Sequence, residues 1–531
     1  MADTDDTRTE RDPFAAWFLD GAERGNPTTD VDRDNGGQAW TDGNRVTVLI
    51  DGDAYFPEVF AEFRCSKSGD WIYLADLQSD GDEQLDGPGS EIGGVLAEVA
   101  RRGVNVRGLL WRSHPAGHGA AEVTNMLLSR TVNEAGGEVV LDHRVRRAGS
   151  HHQKLVVIHR GSPDTADHDV AFVGGIDLAH GRHDGAPHHG DPQPLHLSDA
   201  RYGERPPWHD VQIRIDGPAV RQISWTFRER WLDPNPLDRP TPVRALRHVL
   251  TRKPPERGEL ADPDRTPSPR GTHAVQVLRT YPARRPPYPF AREGERSVAR
   301  AYIKALANAR RFVYIEDQYL WSLDATDALC AALRANADLR CVIVIPRYPD
   351  PAGVLGAASR FGRWRVERAL TQAGGDRVAV YDLENDEGTP IYVHAKVCIV
   401  DDTWMTVGSD NLNRRSWTHD SEICCAVMDR AGALPRDTRV RLAREHLDIS
   451  ENTDGVDLDD VDAWFGALRD SARALDDWHA RGQSGPRPVG RLRVHPRDRV
   501  GTLARPVLHQ LHARLLDPDG RPRRLRRHGR Y

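Results

Sequence analysis

Short apolar runs alternate with amphipathic stretches along most of the chain. Residues 46–50, 71–77 and 104–111 are apolar enough to be strands, and the stretches at 55–63 and 91–102 have the spacing of helices. Strands that alternate with helices in this way are typical of a parallel sheet whose strands are joined by helical crossovers. The pattern therefore predicts an α/β fold for the N-terminal half.

The same pattern recurs in the second half. Residues 71–76 (WIYLAD) are similar to residues 312–317 (FVYIED), and each segment is followed by a His-x-Lys triplet after an interval of 79 or 80 residues. Near-equal intervals indicate duplication of one unit. We predict two duplicated α/β domains with mostly parallel sheets, in a pseudo-twofold bilobal arrangement with the active site at their interface.

Composition suggests where these units begin and end. Residues 1–43 are acidic, polar and glycine-rich, and we predict that they are disordered, although residues 13–19 could dock as a short helix. The further predicted segments are an N-terminal domain at 44–245, a Pro/Arg-rich linker at 246–272, a C-terminal domain at 273–450, and an extension at 451–531 that is helical and then Pro/Arg-rich.

The two triplets place a histidine and a lysine inside otherwise apolar runs, as His152 with Lys154 and His394 with Lys396. Residues at i and i+2 of a strand share a face, so each pair would stand side by side. Only five of the 73 basic residues are lysines, and two of them lie in these triplets, where about 0.2 triplets are expected by chance. Because lysine and arginine are not interchangeable, the pattern indicates a site that needs compact ammonium groups.

Two imidazoles and two ammonium groups suit the cleavage of a phosphodiester. A neutral histidine can attack phosphorus to give a phosphohistidine, while a protonated histidine gives its proton to the leaving oxygen. The ammonium groups can neutralise the charge that concentrates on the phosphoryl oxygens. The residues alone leave open which histidine is the nucleophile.

The spacing around both triplets resembles the phospholipase D superfamily motif His-x-Lys-x4-Asp-x6-Gly-Ser-x-Asn. The second copy fits at every spaced position, with His394, Lys396, Asp401, Gly408, Ser409 and Asn411. In the first copy His159 stands at the Asp position, Asp177 at the Asn position, and a longer insertion precedes Gly174 and Gly175. The flanking segments HHQKLVVI, AFVGGIDLAHGRHD, PWHDVQIRIDGPA, YIEDQYLW and HDSEI are similar to the phosphatidylcholine-cleaving branch, and the resemblance covers about residues 45–430.

The resemblance implies roles for these residues. His152 is expected to be the nucleophile and His394 the general acid/base, assisted by Lys154 and Lys396, with Ser409, Asn411, Gly175 and Asp177 supporting the phosphate. Each imidazole should be oriented by a carboxylate. The expected partners are Asp210 for His152 and Glu422 for His394. No metal and no cofactor are implied.

The departure at His159 bears on whether the first copy is active. In a regular strand residues 152, 154, 156 and 158 share one face and residue 159 points to the other. We therefore predict that Asp401 and His159 are structural residues, held away from the phosphate. The histidine-rich loop, with His180, His183, His188, His189, Asp191 and His196, has irregular spacing among Gly and Pro, which favours a solvated loop over a metal site.

Net charge and hydropathy bear on the class of substrate and on the location of the protein. The net charge of −6 and pI near 6.5 make a nucleic-acid substrate unfavourable. No apolar run is long enough to span a bilayer and the first residues lack signal-peptide features, so we expect a cytoplasmic protein that is peripheral to membranes. The expected partners are phospholipid, at a membrane surface or in vesicles, and water or an alcohol as acceptor.

The predicted function is hydrolysis of phosphatidylcholine-type lipids to phosphatidic acid and a headgroup alcohol through a phosphohistidine. One alternative is a transphosphatidylase, a cardiolipin-synthase-like enzyme or a nuclease of the same superfamily. The other is an inactive scaffold that binds lipid or a protein partner, and it is motivated by His159 and Asp177.

Overall fold

The computed structural model describes residues 13–32, 38–113, 119–161, 163–193, 201–237, 257–348, 353–450 and 455–531. Its strands are β1 (Thr41–Ile50), β2 (Trp71–Asp76), β3 (Asn105–Trp111), β4 (Glu138–Asp142), β5 (Leu155–His159), β6 (Val170–Gly174), β7 (Trp208–His209), β8 (Val211–Asp216), β9 (His273–Tyr281), β10 (Glu295–Arg296), β11 (Phe312–Glu316), β12 (Arg340–Val344), β13 (Val378–Glu384), β14 (Pro390–Val393), β15 (Val397–Val400), β16 (Trp404–Gly408), β17 (Glu422–Asp429) and β18 (Leu492–Val494).

The helices lie mainly between these strands and after them. They are α1 (Gly21–Arg24), α2 (Gly52–Cys65), α3 (Ile92–Arg101), α4 (Gly119–Glu134), α5 (Ala219–Trp231), α6 (Ser297–Asn308), α7 (Leu323–Ala335), α8 (Gly353–Gly374), α9 (Arg414–Thr418), α10 (Leu434–Leu447), α11 (Val461–Ala480), α12 (Arg505–Leu511) and α13 (Arg523–Arg527). Among the described residues, no helix combines the length and the apolar character that crossing a bilayer requires.

Two sheets repeat one topology. The first runs β1-β8-β6-β5-β2-β3-β4 and the second runs β9-β17-β16-β15-β11-β12-β13, with matching strand directions. The predicted α/β class is confirmed. The sheets are mixed rather than mostly parallel, since only β2-β3-β4 and β11-β12-β13 are parallel. The reason is that β5–β6 and β15–β16 are joined without a crossover helix, and such short connections produce antiparallel neighbours.

The core explains why the motif strands are apolar on both faces. Leu155 and Val157 of β5 lie in a cluster shared by both sheets, together with Val397 and Ile399 of β15. Alternate residues of β5 face the cluster formed with α2, α3 and α4 instead. Since a strand alternates its side chains between faces, each motif strand is buried against the other half on one side and against its own helices on the other.

The N-terminal segment is partly folded, so the prediction of disorder for residues 1–43 is wrong for residues 13–32 and 38–43. Phe14, Phe18 and Trp40 are buried in the cluster beneath the second sheet. Arg24 Nη1 lies 3.0 Å from Glu295 Oε1. The few aromatic residues of this segment pack into the core, although the composition of the segment as a whole is acidic and polar. Residues 1–12 and 33–37 lie outside the described part of the chain.

The linker and the C-terminal extension also pack on the two sheets. Ala261 N donates to Tyr73 Oη at 2.7 Å, within the described part of the predicted linker (257–272). Trp464 on α11 is buried in the core that the sheets share, and β18 pairs with β13. Gly520 N donates to Thr418 Oγ1 at 2.9 Å. The region after residue 455 therefore extends the second half rather than forming a separate unit.

Candidate active site

Each His-x-Lys segment is bonded to the backbone of the other half. His152 N donates to Ser421 O at 2.9 Å, and His394 N donates to His209 O at 2.7 Å. Next to these hydrogen bonds β14 pairs with β7 in parallel, and His151 forms a parallel β-bridge with Ser421. This reciprocal exchange carries the two imidazoles to the boundary between the sheets.

The carboxylates that hold the imidazoles are crossed between the halves. His152 Nδ1 lies 2.8 Å from Glu422 Oε2, and His394 Nδ1 lies 2.6 Å from Asp210 Oδ2. Both carboxylates are fully buried. A carboxylate at Nδ1 fixes the tautomer in which Nε2 is the basic nitrogen, which suits attack or proton transfer at that atom.

The predicted pairing of Asp210 with His152 and of Glu422 with His394 is therefore wrong. Asp210 follows β7, which pairs with the strand that precedes His394. Glu422 follows Ser421, which bonds to the segment of His152. Each carboxylate therefore lies beside the backbone segment that contacts the other half, and it binds the histidine of that other half.

The two lysines have different surroundings. Lys154 Nζ lies 3.2 Å from Asp177 Oδ1, and both side chains are buried. Lys396 donates to His394 O. Burial lowers the pKa of Lys396 to about 8, against the opposing effect of Asp210 and Asp317. Asn411, which matches Asp177 in the motif, is uncharged, so the second copy has no carboxylate at this position to pair with its lysine.

Two further carboxyl groups lie beneath the motif residues. Asp76 Oδ2 accepts from Leu178 N at 2.9 Å, and Asp317 Oδ2 accepts from Leu412 N at 2.6 Å. Burial raises the pKa of Asp76 well above its usual value and that of Asp317 to about 7. Burial acts to raise the pKa of Asp177, but the charge of Lys154, the hydrogen bond with Asp76 and the charge of Arg182 together lower it below its usual value. Sequence reasoning missed Asp76 and Asp317 as site residues, although each is the last residue of the repeated segment that indicated the duplication.

An arginine and a tryptophan complete the surroundings of His394. The Trp208 ring lies 4.8 Å from the imidazole, and the Arg182 guanidinium lies 4.0 Å from the Trp208 ring centre. Burial, followed by the charges of Lys396 and Arg182, lowers the pKa of His394 well below its usual value. The imidazole of His394 is therefore neutral in the free protein. Both residues were missed, although they lie in the flanking segments that carried the resemblance.

Ser409 and Gly175 occupy matching positions but act differently. Ser409 Oγ donates to Glu422 Oε2 at 2.6 Å. At Gly175 a Cβ atom would lie 2.1 Å from Asp210 Oδ1. The serine thus orients the carboxylate that holds His152, whereas the glycine makes room for the carboxylate that holds His394.

Asp401 and His159 lie at the opposite ends of the motif strands from the imidazoles. Asp401 accepts hydrogen bonds of 2.7 to 2.8 Å from the backbone N–H groups of residues 310–312. His159 Nδ1 lies 2.7 Å from Asp169 Oδ2 and Nε2 lies 2.9 Å from Ser224 Oγ. In the first half the carboxylate of Asp70, which precedes β2, accepts from Lys67 N at 2.9 Å and from Gly161 N, after β5, at 2.7 Å.

Most of the histidine-rich loop is buried over residues 180–191, where Ala186, Pro187 and His189 are the exposed residues, so the interpretation as a solvated loop is wrong for the greater part of this range. His188 is fully buried, and His180 Nδ1 lies 2.5 Å from Glu83 Oε2. The side chain of His189 is 52% exposed, unlike that of His188. Carboxylates from distant segments meet these histidines, and that contact was not visible in the local spacing. His196 lies outside the described residues.

Comparisons with known proteins bear on the family of the chain. A family model described as Phospholipase D matches residues 71–326, and one described as Cardiolipin synthase, PLD-like domain, matches residues 302–438. Phospholipase D alpha 1 of Vigna unguiculata is 27% identical over 387 residues, which is 54% of this chain and 47% of the relative. Phospholipase D alpha 2 of Arabidopsis thaliana is 25% identical over 398 residues, or 56% and 48%. The chain spans about half the length of these curated relatives.

The fold has a counterpart among solved structures. The crystal structure of phosphatidylserine synthase from Haemophilus influenzae Rd KW20 aligns with a TM-score of 0.50 and 17% identity, covering 82% of this chain and 94% of that one. The two family models together include both His-x-Lys segments and both carboxylates that hold the imidazoles. With its repeated sheets and paired triplets, the chain belongs to the phospholipase D superfamily, whose members are phosphodiesterases and transferases.

Proposed function

We propose that the chain hydrolyses phosphatidylcholine-type phospholipids to phosphatidic acid and a headgroup alcohol. The observation that carries this proposal is the pair of crossed histidine–carboxylate contacts, flanked by Lys154 and Lys396. One imidazole can serve as nucleophile while the other handles the proton, and the two ammonium groups offset the charge of the phosphate.

In the first step His152 Nε2 attacks phosphorus. The new P–N bond forms as the P–O bond to the headgroup breaks, and His394 gives its Nε2 proton to the departing oxygen. Since burial and neighbouring cations keep His394 neutral in the free protein, the negative charge of the bound phosphodiester favours its protonation. Glu422 accepts the Nδ1–H of His152 and balances the charge of the phosphohistidine.

In the second step His394 acts as base. Its Nε2 takes a proton from water, the hydroxyl oxygen bonds to phosphorus, and the P–N bond to His152 breaks to release phosphatidic acid. An alcohol in place of water gives a phosphatidyl alcohol by the same route. Lys154 and Lys396, each two residues after its histidine, offset charge on the phosphoryl oxygens, and Asn411 takes the same role from its place in the motif.

A transferase reaction is the second candidate, because one matching family model is described as Cardiolipin synthase, PLD-like domain. The two candidates share the phosphohistidine and differ in the acceptor. A phospholipid panel incubated with and without ethanol tests both. We expect headgroup release in water, and phosphatidylethanol when ethanol is present, from at least one lipid.

The panel also tests the remaining alternatives. Cleavage of a DNA diester without turnover of any phospholipid would support a nuclease. Vesicle binding without turnover of any substrate would support a scaffold. Product that appears only with an added alcohol, and never with water, would support an obligate transferase.

The alkaline limb of activity should follow Lys396. Its pKa of about 8 lies below the usual value, so the ammonium is present at lower pH and is lost as pH rises through about 8. Above that point we expect the fall of kcat/KM with pH to become steeper by about a further factor of ten per pH unit. Residual activity of Lys396→Arg should lack this limb, because a guanidinium stays protonated. A wild-type profile that stays flat from about pH 7 to about pH 10 would contradict the assignment.

A basic cavity supports peripheral contact with anionic membranes. About 760 Å³ in volume, it is lined by Arg146, Arg147, Arg284, Arg285, Arg292 and Arg524, with Glu293 as the acidic residue of the lining. Arg146 and Arg147 precede His152 in the same segment. Each basic residue near an anionic surface contributes about 1 kcal/mol of attraction. We therefore propose that the protein binds its lipid from the membrane surface, and its proposed location remains the cytoplasm. Vesicles with and without anionic lipid test the membrane contact.

A further inference from the structure

A second group of histidines and carboxylates lies behind the candidate active site. Asp51, His188, His209 and Glu445 each offer a ligand atom, and these atoms all lie within 4.8 Å of one another. His209 Nδ1 is 2.9 Å from Asp51 Oδ1 and 3.0 Å from Glu445 Oε1, and His188 Nε2 is 3.2 Å from Glu445 Oε1. The side chains are at most 9% exposed.

These separations suit one small cation. Tetrahedral zinc with bonds of about 2.0–2.1 Å keeps its ligand atoms about 3.3 Å apart. Asp51 Oδ2 is buried and accepts no hydrogen bond from the described residues, and His188 Nε2 lies 4.0 Å from it. An orphaned buried carboxylate oxygen is costly unless a charge satisfies it.

Groups around the cluster orient both imidazoles. His209 Nε2 lies 2.9 Å from Glu316 Oε2, and His188 Nδ1 lies 3.1 Å from Trp208 O. Metal-binding histidines usually donate their second N–H to a carboxylate or a backbone carbonyl in this way. With those protons placed, His209 Nδ1 and His188 Nε2 direct their lone pairs into the cluster.

The backbone also holds two of the four residues in an uncommon conformation. Asp51 has φ 65° and His188 has φ 54°. Non-glycine residues at positive φ are strained and persist where the surroundings require them. The two positions turn side chains from separate loops toward the same point.

We propose that Asp51, His188, His209 and Glu445 bind a divalent transition metal in a closed tetrahedral site, with Zn²⁺ as the preferred ion. Two nitrogen and two carboxylate donors suit Zn²⁺, whereas Ca²⁺ and Mg²⁺ prefer all-oxygen sites. Two carboxylates and two neutral imidazoles balance the charge of the ion. This site goes beyond the proposed function, and no step of the reaction uses it.

The metal would brace the active site through Asp51. Asp210 N donates to Asp51 Oδ1 at 3.1 Å, and Asp51 N donates to Asp210 O at 2.8 Å. Asp210 in turn holds His394. Glu445 lies on α10, in the second half of the chain, whereas the other three ligands come from the first half. The ion would therefore fasten the two halves together beside the imidazole that moves the proton.

Metal content of the full chain, prepared without an affinity tag, tests the proposal. We expect about one equivalent of Zn²⁺ by elemental mass spectrometry after growth with added zinc and extensive dialysis. Growth with Co²⁺ instead should give the visible absorption of tetrahedral Co²⁺. His188→Gln should lose the metal, and Glu445→Gln should weaken Zn²⁺ binding at least about tenfold.

Two matched variants serve as controls. His189→Gln changes the exposed neighbour of His188, and His180→Gln changes a separate group with Glu83 and Asp191. Both should keep the full metal content. The proposal is overturned if wild-type protein grown with zinc contains less than about 0.1 equivalent, or if His188→Gln retains as much metal as wild type. Co²⁺ absorption of the wild-type protein decides the matter even if a variant fails to fold.

Discussion

His152→Ala should abolish the phosphoenzyme and lower kcat by at least about 10⁴-fold, whereas His394→Ala should trap the phosphoenzyme. The first change removes the atom that bonds to phosphorus. The second removes the base that activates water, so an intermediate formed with a good leaving group persists. A denaturing alkaline quench of single-turnover reactions with phosphorus-labelled lipid preserves the P–N bond, and the protein-bound label that later acid treatment releases measures both effects.

The control for this pair is His189→Ala, which removes an exposed histidine remote from the crossed contacts and should leave kcat unchanged. Phosphoenzyme in His152→Ala and none in His394→Ala would reverse the two roles. If neither variant loses activity, the proposed site is wrong.

Glu422→Gln and Asp210→Asn should each lower kcat by about 10³- to 10⁴-fold, but at different steps. An amide at Nδ1 no longer stabilises the imidazolium and favours the wrong tautomer, and in a serine protease the equivalent change costs about 10⁴-fold. Because Glu422 holds His152 and Asp210 holds His394, Glu422→Gln should slow formation of the phosphoenzyme. With a lipid whose leaving group needs no proton, His394 acts only as the base of the second step, so Asp210→Asn should slow breakdown of the phosphoenzyme. Rapid-quench kinetics separate the two rates.

Asp401→Asn is the matched control, since the Asp401 carboxylate binds the backbone N–H groups of residues 310–312 instead of an imidazole. It should lower the melting temperature and leave the ratio of the two rates unchanged. If Asp210→Asn instead slows formation and Glu422→Gln slows breakdown, each carboxylate acts on the histidine of its own half and the crossed geometry is not the functional one.

Local spacing was sufficient to predict the α/β class and the duplication. It could do so because His-x-Lys and the apolar runs depend on side-chain alternation within one strand. The crossed carboxylates could not be predicted in the same way. Their partners follow from β14 pairing with β7 and from Ser421 pairing with the segment of His152, and both contacts join residues that are far apart in the chain.

Average composition misled in two places. The N-terminal segment appears acidic and disordered as a whole, yet Phe14, Phe18 and Leu19 are buried in the cluster beneath the second sheet and anchor the segment there. The histidine-rich loop appears solvated because of its glycines and prolines, yet Asp51 and Glu445 come from other parts of the chain to meet His188. In both cases a few contacts with residues distant in the chain bury a segment whose own composition is typical of a solvated one.

Reciprocal strand exchange has a consequence for the origin of the enzyme. Separated from each other, neither half would keep one complete histidine–carboxylate pair, since each contributes the imidazole of one pair and the acid of the other. An ancestor with a single copy of the unit would therefore have needed a symmetric homodimer to assemble its catalytic groups. Fusion of the two copies would then have allowed Ser409 and Gly175, or Asn411 and Asp177, to diverge for separate tasks on the two sides of one phosphorus atom.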